Sequence, residues 1–116
     1  HRDLPGNSRA VTMVDENGVY VACEEQGAFK LEINNSEISP ATIQFGEDLY
    51  VTHVTVFGNQ IALSCAANGI SLYERISDND IQSRGIHSVG YVYHAEFYNN
   101  YLFTASREGL QIFQID

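Results

Sequence analysis

A chain of 116 residues, 44% hydrophobic, with 15 acidic against 6 basic side chains and a formal net charge of −9, has the size of one small domain and enough apolar content for a core. That charge argues against nucleic acid and against an anionic membrane surface as partners, because phosphate binding rests on clustered Lys and Arg. No apolar run approaches the length of a membrane-spanning helix, so membrane insertion is not expected, and divalent cations, basic protein patches and neutral glycans remain as partners. The opening residues HRDLPGNSRA show neither an initiator Met nor the apolar stretch of a signal peptide, which reads as a mature or excised piece.

The predicted elements fall into three copies of one pattern: ENGVYVACEEQGAFKLE (Glu16 to Glu32), GNQIALSCAANGISLYE (Gly58 to Glu74) and NNYLFTASREGLQIFQ (Asn99 to Gln114). The first offset is 42, set by Asn17 and Asn59, Cys23 and Cys65, Gly27 and Gly69. The second is 41, set by His53 and His94 and by Cys65 and Ser106, and it drops to 40 at Gly109 because the preceding loop is one residue shorter. In the second copy, HVTVF (His53 to Phe57) alternates as a strand, Gly58-Asn59 supplies a tight turn, and Gln60 to Cys65 is the next strand. Ala66 to Gly69 turns the chain into a third strand, Ile70 to Ile76. The polar SDNDIQ (Ser77 to Gln82) then connects to a weaker fourth strand around Gly85 to Val89. No segment sustains helical apolar spacing, so the expectation is all-β.

Four strands in a period of this length are the signature of a β-propeller blade. With strands lettered A to D from the axis outward, the chain parses as ABC, DABC, DABC, the first D position being unfilled or supplied by the N-terminal segment. One propeller segment over residues 1–116 is expected, with approximate repeats 10–34, 42–76 and 85–116. Expected core positions are Val14, Val56 and Phe97 on strand A, Val19, Ile61 and Leu102 on strand B, and the small residues Ala22, Ser64 and Ala105 near the axis. Three blades do not close a ring, since propellers have about four to eight. The expectation is a partial propeller completed by the remaining blades of a parent chain or by homo-oligomerisation, with an apolar open flank. Cys23 and Cys65 occupy equivalent positions in neighbouring blades, about 10 Å apart. A disulfide needs Cα atoms within about 7 Å, so two free, buried thiols are expected.

The segments VTVFGNQIALSC with NGISLYE, AEFYNNYLFTAS with EGLQIFQID, and VTMVDENGVYVAC with QGAFKLEI resemble the LVIVD-repeat propellers, whose repeats look like V-x-V-x-G-N-x-A-Y-V-A…G-L-x-I-x-D. The likeness covers Val11 to Asp116. It implies an extracellular or cell-envelope location and brings no catalytic residues with it. The absence of Trp removes the dipeptide of WD40 repeats, and no Gly-Gly doublet marks kelch repeats.

Ligand sites of propellers gather where the D–A and B–C connections converge. Here that end carries Gly46 to Tyr50, Tyr91 to His94, Glu24, Glu25, Ala66, Ala67, Arg107 and Glu108. The candidate ligand-binding residues are His53, His94, Tyr91, Tyr93, Glu24, Glu25 and Arg107. His53 and His94 sit at matching positions and have the chemistry to share a metal with Glu24, Glu25 or Glu96. The favoured reading is that they are channel-lining residues hydrogen-bonded to water or backbone, because Val11 in copy one breaks a symmetric histidine ring. No metal or cofactor is assigned. Glu24-Glu25 reads as a solvated acidic pair or as a contact for calcium or a basic partner, and SDNDIQ lacks EF-hand spacing. Loop-borne tyrosines suit protein or sugar contact.

No nucleophile elbow, P-loop or zinc-protease helix motif occurs. The favoured expectation is a non-catalytic binding or scaffolding module that presents propeller loops to a protein or glycan. The alternatives are a fragment of a propeller enzyme, with a metal or acid–base site at the channel mouth drawing on His53, His94 and Glu96, and a purely structural domain.

Overall fold

The computed structural model describes residues 10–13, 18–34, 37–77, 80–87 and 90–115. These form eleven strands, and no helix occurs among them. The first sheet contains β1 (Ala10–Met13), β2 (Gly18–Ala22), β3 (Ala28–Asn34) and β4 (Glu37–Phe45) in sequential order. The second contains β5 (His53–Phe57), β6 (Gln60–Ser64), β7 (Ile70–Ser77) and β8 (Asp80–His87), and the third β9 (Val92–Tyr98), β10 (Tyr101–Ser106) and β11 (Gly109–Gln114). Every pairing is antiparallel.

The strand grouping differs from the expected parse. Each D strand pairs with the C strand before it, β4 on β3 and β8 on β7, so the order is ABCD, ABCD, ABC. Residues 42–45, expected to open the second repeat, therefore close the first sheet. The position without a fourth strand among the described residues is the last one, not the first. A hairpin forces this arrangement. Ser77 pairs with Asp80, leaving room only for an immediate antiparallel return. For the same reason Asp80, Ile81 and Gln82 are strand residues, not part of a polar loop, and β8 spans Asp80–His87 instead of starting at Gly85.

The sheets stack, with β1 beside β5 and β5 beside β9 along one edge. Between the first two sheets lie Tyr20, Ala22, Ala28, Phe45, Val54, Ile61, Leu63 and Cys65. Phe45 makes edge-on contacts with Tyr20 (5.9 Å) and Tyr73 (5.1 Å), a geometry aromatic pairs favour. Between the second and third sheets lie Ala62, Ile70, Val92, Ala95 and Leu102, with Leu72, Phe97 and Phe113 packed against them.

Val19, Ile61, Leu102, Ala22 and Ser64 are buried as expected. Val56 and Phe97 are only half-buried; Val54 and Ala95 take the deep positions on β5 and β9. Val14 lies outside the described residues. Ala105 is exposed, because it shares the outer face of the third sheet, which no further sheet covers among the described residues. Cys23 and Cys65 are both free and buried. Burial pushes the Cys65 thiol up to about 12, so it is an inert core group.

The two ends of the stack are unlike. On the far side of the first sheet, Val19, Val21, Cys23, Phe29 and Leu31 are buried. On the outer face of the third sheet, Leu110 is 70% exposed and Ile112 56% exposed. Register joins them to Ala105 and Phe103, with Tyr98 and Tyr101 alongside. Among the described residues, the expected apolar flank is therefore seen on the third sheet.

Candidate functional site

The turns joining β2 to β3 and β6 to β7 are built alike. Glu24 and Ala66 take positive φ values of 47° and 49°, followed by Gly27 at 80° and Gly69 at 85°. The amides of Cys23 and Cys65 donate to the carbonyls of Gly27 and Gly69, each at 2.8 Å. Each turn also reaches the next sheet. Glu24 and Val51 exchange backbone hydrogen bonds of 2.8 and 2.9 Å, and the Val92 amide donates to the Ala66 carbonyl at 3.0 Å. These bridges bring the B–C turns and the D–A connections to one end of the stack, which is where the candidate residues lie.

Three groups form there. In the first, the Tyr50 hydroxyl donates to Glu24 Oε2 at 2.6 Å. Glu24 is buried while Glu25 is exposed, so the expected solvated acidic pair is split: one carboxylate is built into the junction between sheets and the other faces water.

The second group is Tyr91, Tyr93 and Arg107. The two phenol rings are 5.4 Å apart, tilted by 51°. The Arg107 guanidinium lies 4.3 Å over the Tyr91 ring, its Nε donates to the Tyr93 hydroxyl at 3.2 Å, and its backbone amide donates to the Tyr91 carbonyl at 3.0 Å. A cation stacked on one ring and bonded to the other fixes a small exposed platform.

The third group joins the edge strands β5 and β9. His53 and His94 stack with ring centroids 3.7 Å apart, and both Nε2 atoms point at Glu96 Oε1, at 3.3 and 2.9 Å. Thr55 Oγ1 donates to Glu96 Oε2 at 3.2 Å and accepts from the Phe97 amide at 3.4 Å. His94 and Glu96 are two residues apart on one strand and so share a side of it. Of the carboxylates suggested by the sequence as partners to the histidines, the structure brings in Glu96; Glu24 bonds Tyr50 instead. Thr55 was missed, since its role depends on a register between two sheets.

Burial first, and the charge of His94 second, hold the His53 imidazole below its ordinary range, against the opposing pull of Glu96. Partial burial works to raise the Glu96 carboxyl, but hydrogen bonds from His94, His53 and Thr55 together outweigh it and hold the group below the usual carboxylate range. Both depressed groups bind protons more readily unfolded than folded, so stability rises with pH through both titrations. In metal-free protein, urea midpoints are therefore expected to be level between the unfolded histidine range of about 6.5 and the unfolded thiol range of about 8.5, above which the raised Cys65 thiol lowers stability. They should fall as the pH drops below the histidine range, and fall further as Glu96 protonates. The His53→Gln variant should flatten the first step; an unchanged profile would remove His53 as its source.

No family model matches the chain, and no curated protein matches it. Among solved structures, the crystal structure of the computationally designed Ika4 protein superposes with a TM-score of 0.71 at 14% identity, over 94% of this chain. This chain spans 66% of that protein's length. At that identity the likeness concerns the fold alone. No helix among the described residues is long and apolar enough to cross a membrane.

Proposed function

We propose that the chain is a non-catalytic binding module of β-propeller type that offers the loop end of its sheet stack to a protein or glycan partner. The observation that carries this reading is the Tyr91–Tyr93–Arg107 platform. Tyr and Arg dominate binding hot spots, and here they are pre-ordered, which lowers the entropy lost on binding. Tyr93 is 53% exposed, so its ring is available without rearrangement.

The propeller reading rests on equivalence between sheets. Ala62, Ile70 and Leu72 receive the third sheet, and their repeat equivalents Phe103, Leu110 and Ile112 stand on that sheet's outer face. That face is suited to a further sheet of the same kind, from a longer chain or from a second copy. The LVIVD resemblance, and the extracellular or cell-envelope location it implies, rest on the recurring motifs.

The test is a screen of the chain against a displayed random-peptide library and a panel of immobilised oligosaccharides. Ligands enriched on the wild type should lose at least about tenfold in affinity in a Tyr91→Ala, Tyr93→Ala double variant, the loss expected on removing hot-spot aromatics. Equal binding by the double variant would remove the platform from the function.

A further inference from the structure

We propose that His53, His94 and Glu96 form a three-ligand site for a divalent transition-metal ion of the zinc type. Their ligating atoms all lie within 4.8 Å of one another. Bonds of about 2.0–2.1 Å to nitrogen and oxygen place neighbouring ligands about 3.3 Å apart at a tetrahedral angle and about 2.9 Å apart at a right angle. The two imidazole-to-carboxylate separations are 3.3 and 2.9 Å, within that range, and the third, between the imidazoles, needs only the small adjustment that the 4.8 Å bound allows.

The support around them points the same way. Thr55 holds Glu96 Oε2 and is itself held by the Phe97 amide, which leaves Oε1 aimed at both imidazoles. Outer hydrogen bonds of this kind orient ligating carboxylates. All three ligands stand on strands, which position side chains more rigidly than loops do. Two imidazoles and one carboxylate favour a borderline ion over calcium or magnesium, which take oxygen ligands. Register places His94 beside Ala105 and Glu96 beside Phe103 on the open face of the third sheet, with side chains 49% and 60% exposed, so in the single chain ions can enter from solvent. Copy one carries Val11 at the equivalent position, so the repeat supplies one such site, between the second and third sheets.

The site stands apart from the tyrosine platform and does not depend on the binding-module reading. Zinc titrated calorimetrically into the whole chain, stripped of metal beforehand, should bind saturably at one ion per chain. His53→Gln and His94→Gln should each weaken binding at least tenfold, and Thr55→Val about tenfold, the range seen when outer-shell partners are removed. Circular dichroism establishes that each variant folds. In the unsubstituted chain, zinc should shift the side-chain nitrogen resonances of His53 and His94 and leave those of His1 and His87 in place. Absence of saturable binding, equal binding by the His53→Gln, His94→Gln double variant, or shifts confined to His1 or His87 would each overturn the proposal.

Discussion

Gly27→Ala is expected to destabilise the fold by more than about 3 kcal/mol, whereas Gly109→Ala costs only the strain of its backbone, about 1–2 kcal/mol. Both glycines close the turn between the second and third strands of a sheet, and both have positive φ, 80° and 107°. Their surroundings differ. A Cβ on Gly27 would stand 2.5 Å from the carbonyl oxygens of both Phe45 and Gly46. Phe45 ends β4 in the ladder with β3 and the Gly46 carbonyl accepts from the Leu49 amide, so relief requires moving backbone held in place on both sides. A Cβ on Gly109 meets nothing within 4 Å. For a chain of this size about 3 kcal/mol corresponds to roughly 10–20 °C in Tm. Thermal unfolding of the two variants checks the contrast, and similar melting temperatures would contradict the packing described for the first turn.

Replacing Leu110 and Ile112 together by Glu should raise solubility and the aggregation temperature while changing folded stability by less than about 1 kcal/mol, as for other surface positions. Both side chains are more than half exposed, so little native contact is lost. What is lost is an apolar surface that favours association, since burying one such side chain contributes about 1.5–3 kcal/mol and contiguous exposed patches mark interaction sites or aggregation hazards. Binding of an apolar fluorescent dye should fall in parallel. A large drop in Tm would show that the two residues are core residues of the isolated chain instead.

Much of the fold is legible in the sequence because its signals are local. Alternation in HVTVF, the Asn59 turn and the recurrent turn glycines define hairpins within a few residues, and three recurrences establish the repeat. Assignment of the D strands is less legible. β8 would alternate equally well against either neighbour, and what decides is the short return after Ser77. Alternation also shows that β10 has two faces without showing which one lacks a neighbour, so the exposure of Tyr98, Tyr101 and Ala105 emerges only from the stack.

The site divides in the same way. His53 and His94 are marked by their repeat position, and Glu96 by its place two residues beyond His94. Thr55 and the Tyr50–Glu24 bond are not marked, because each depends on contacts between sheets, across 41 and 26 positions of chain. Arg107 is where the third copy departs from the others. With the loop one residue shorter, its amide bonds Tyr91 within the same sheet, and the side chain is turned onto the two tyrosines.

Antiparallel sheets stacked with the third sheet's outer face open among the described residues should associate through that face, and solution mass by light scattering across a concentration series tests this. Such a face can pair with its own copy by two-fold symmetry, so the wild type should approach twice 12.9 kDa and the Leu110→Glu, Ile112→Glu variant should remain at the single-chain mass. A wild type that stays at 12.9 kDa at every concentration, or that grows without limit and is unaffected by the two substitutions, would contradict association through the open face.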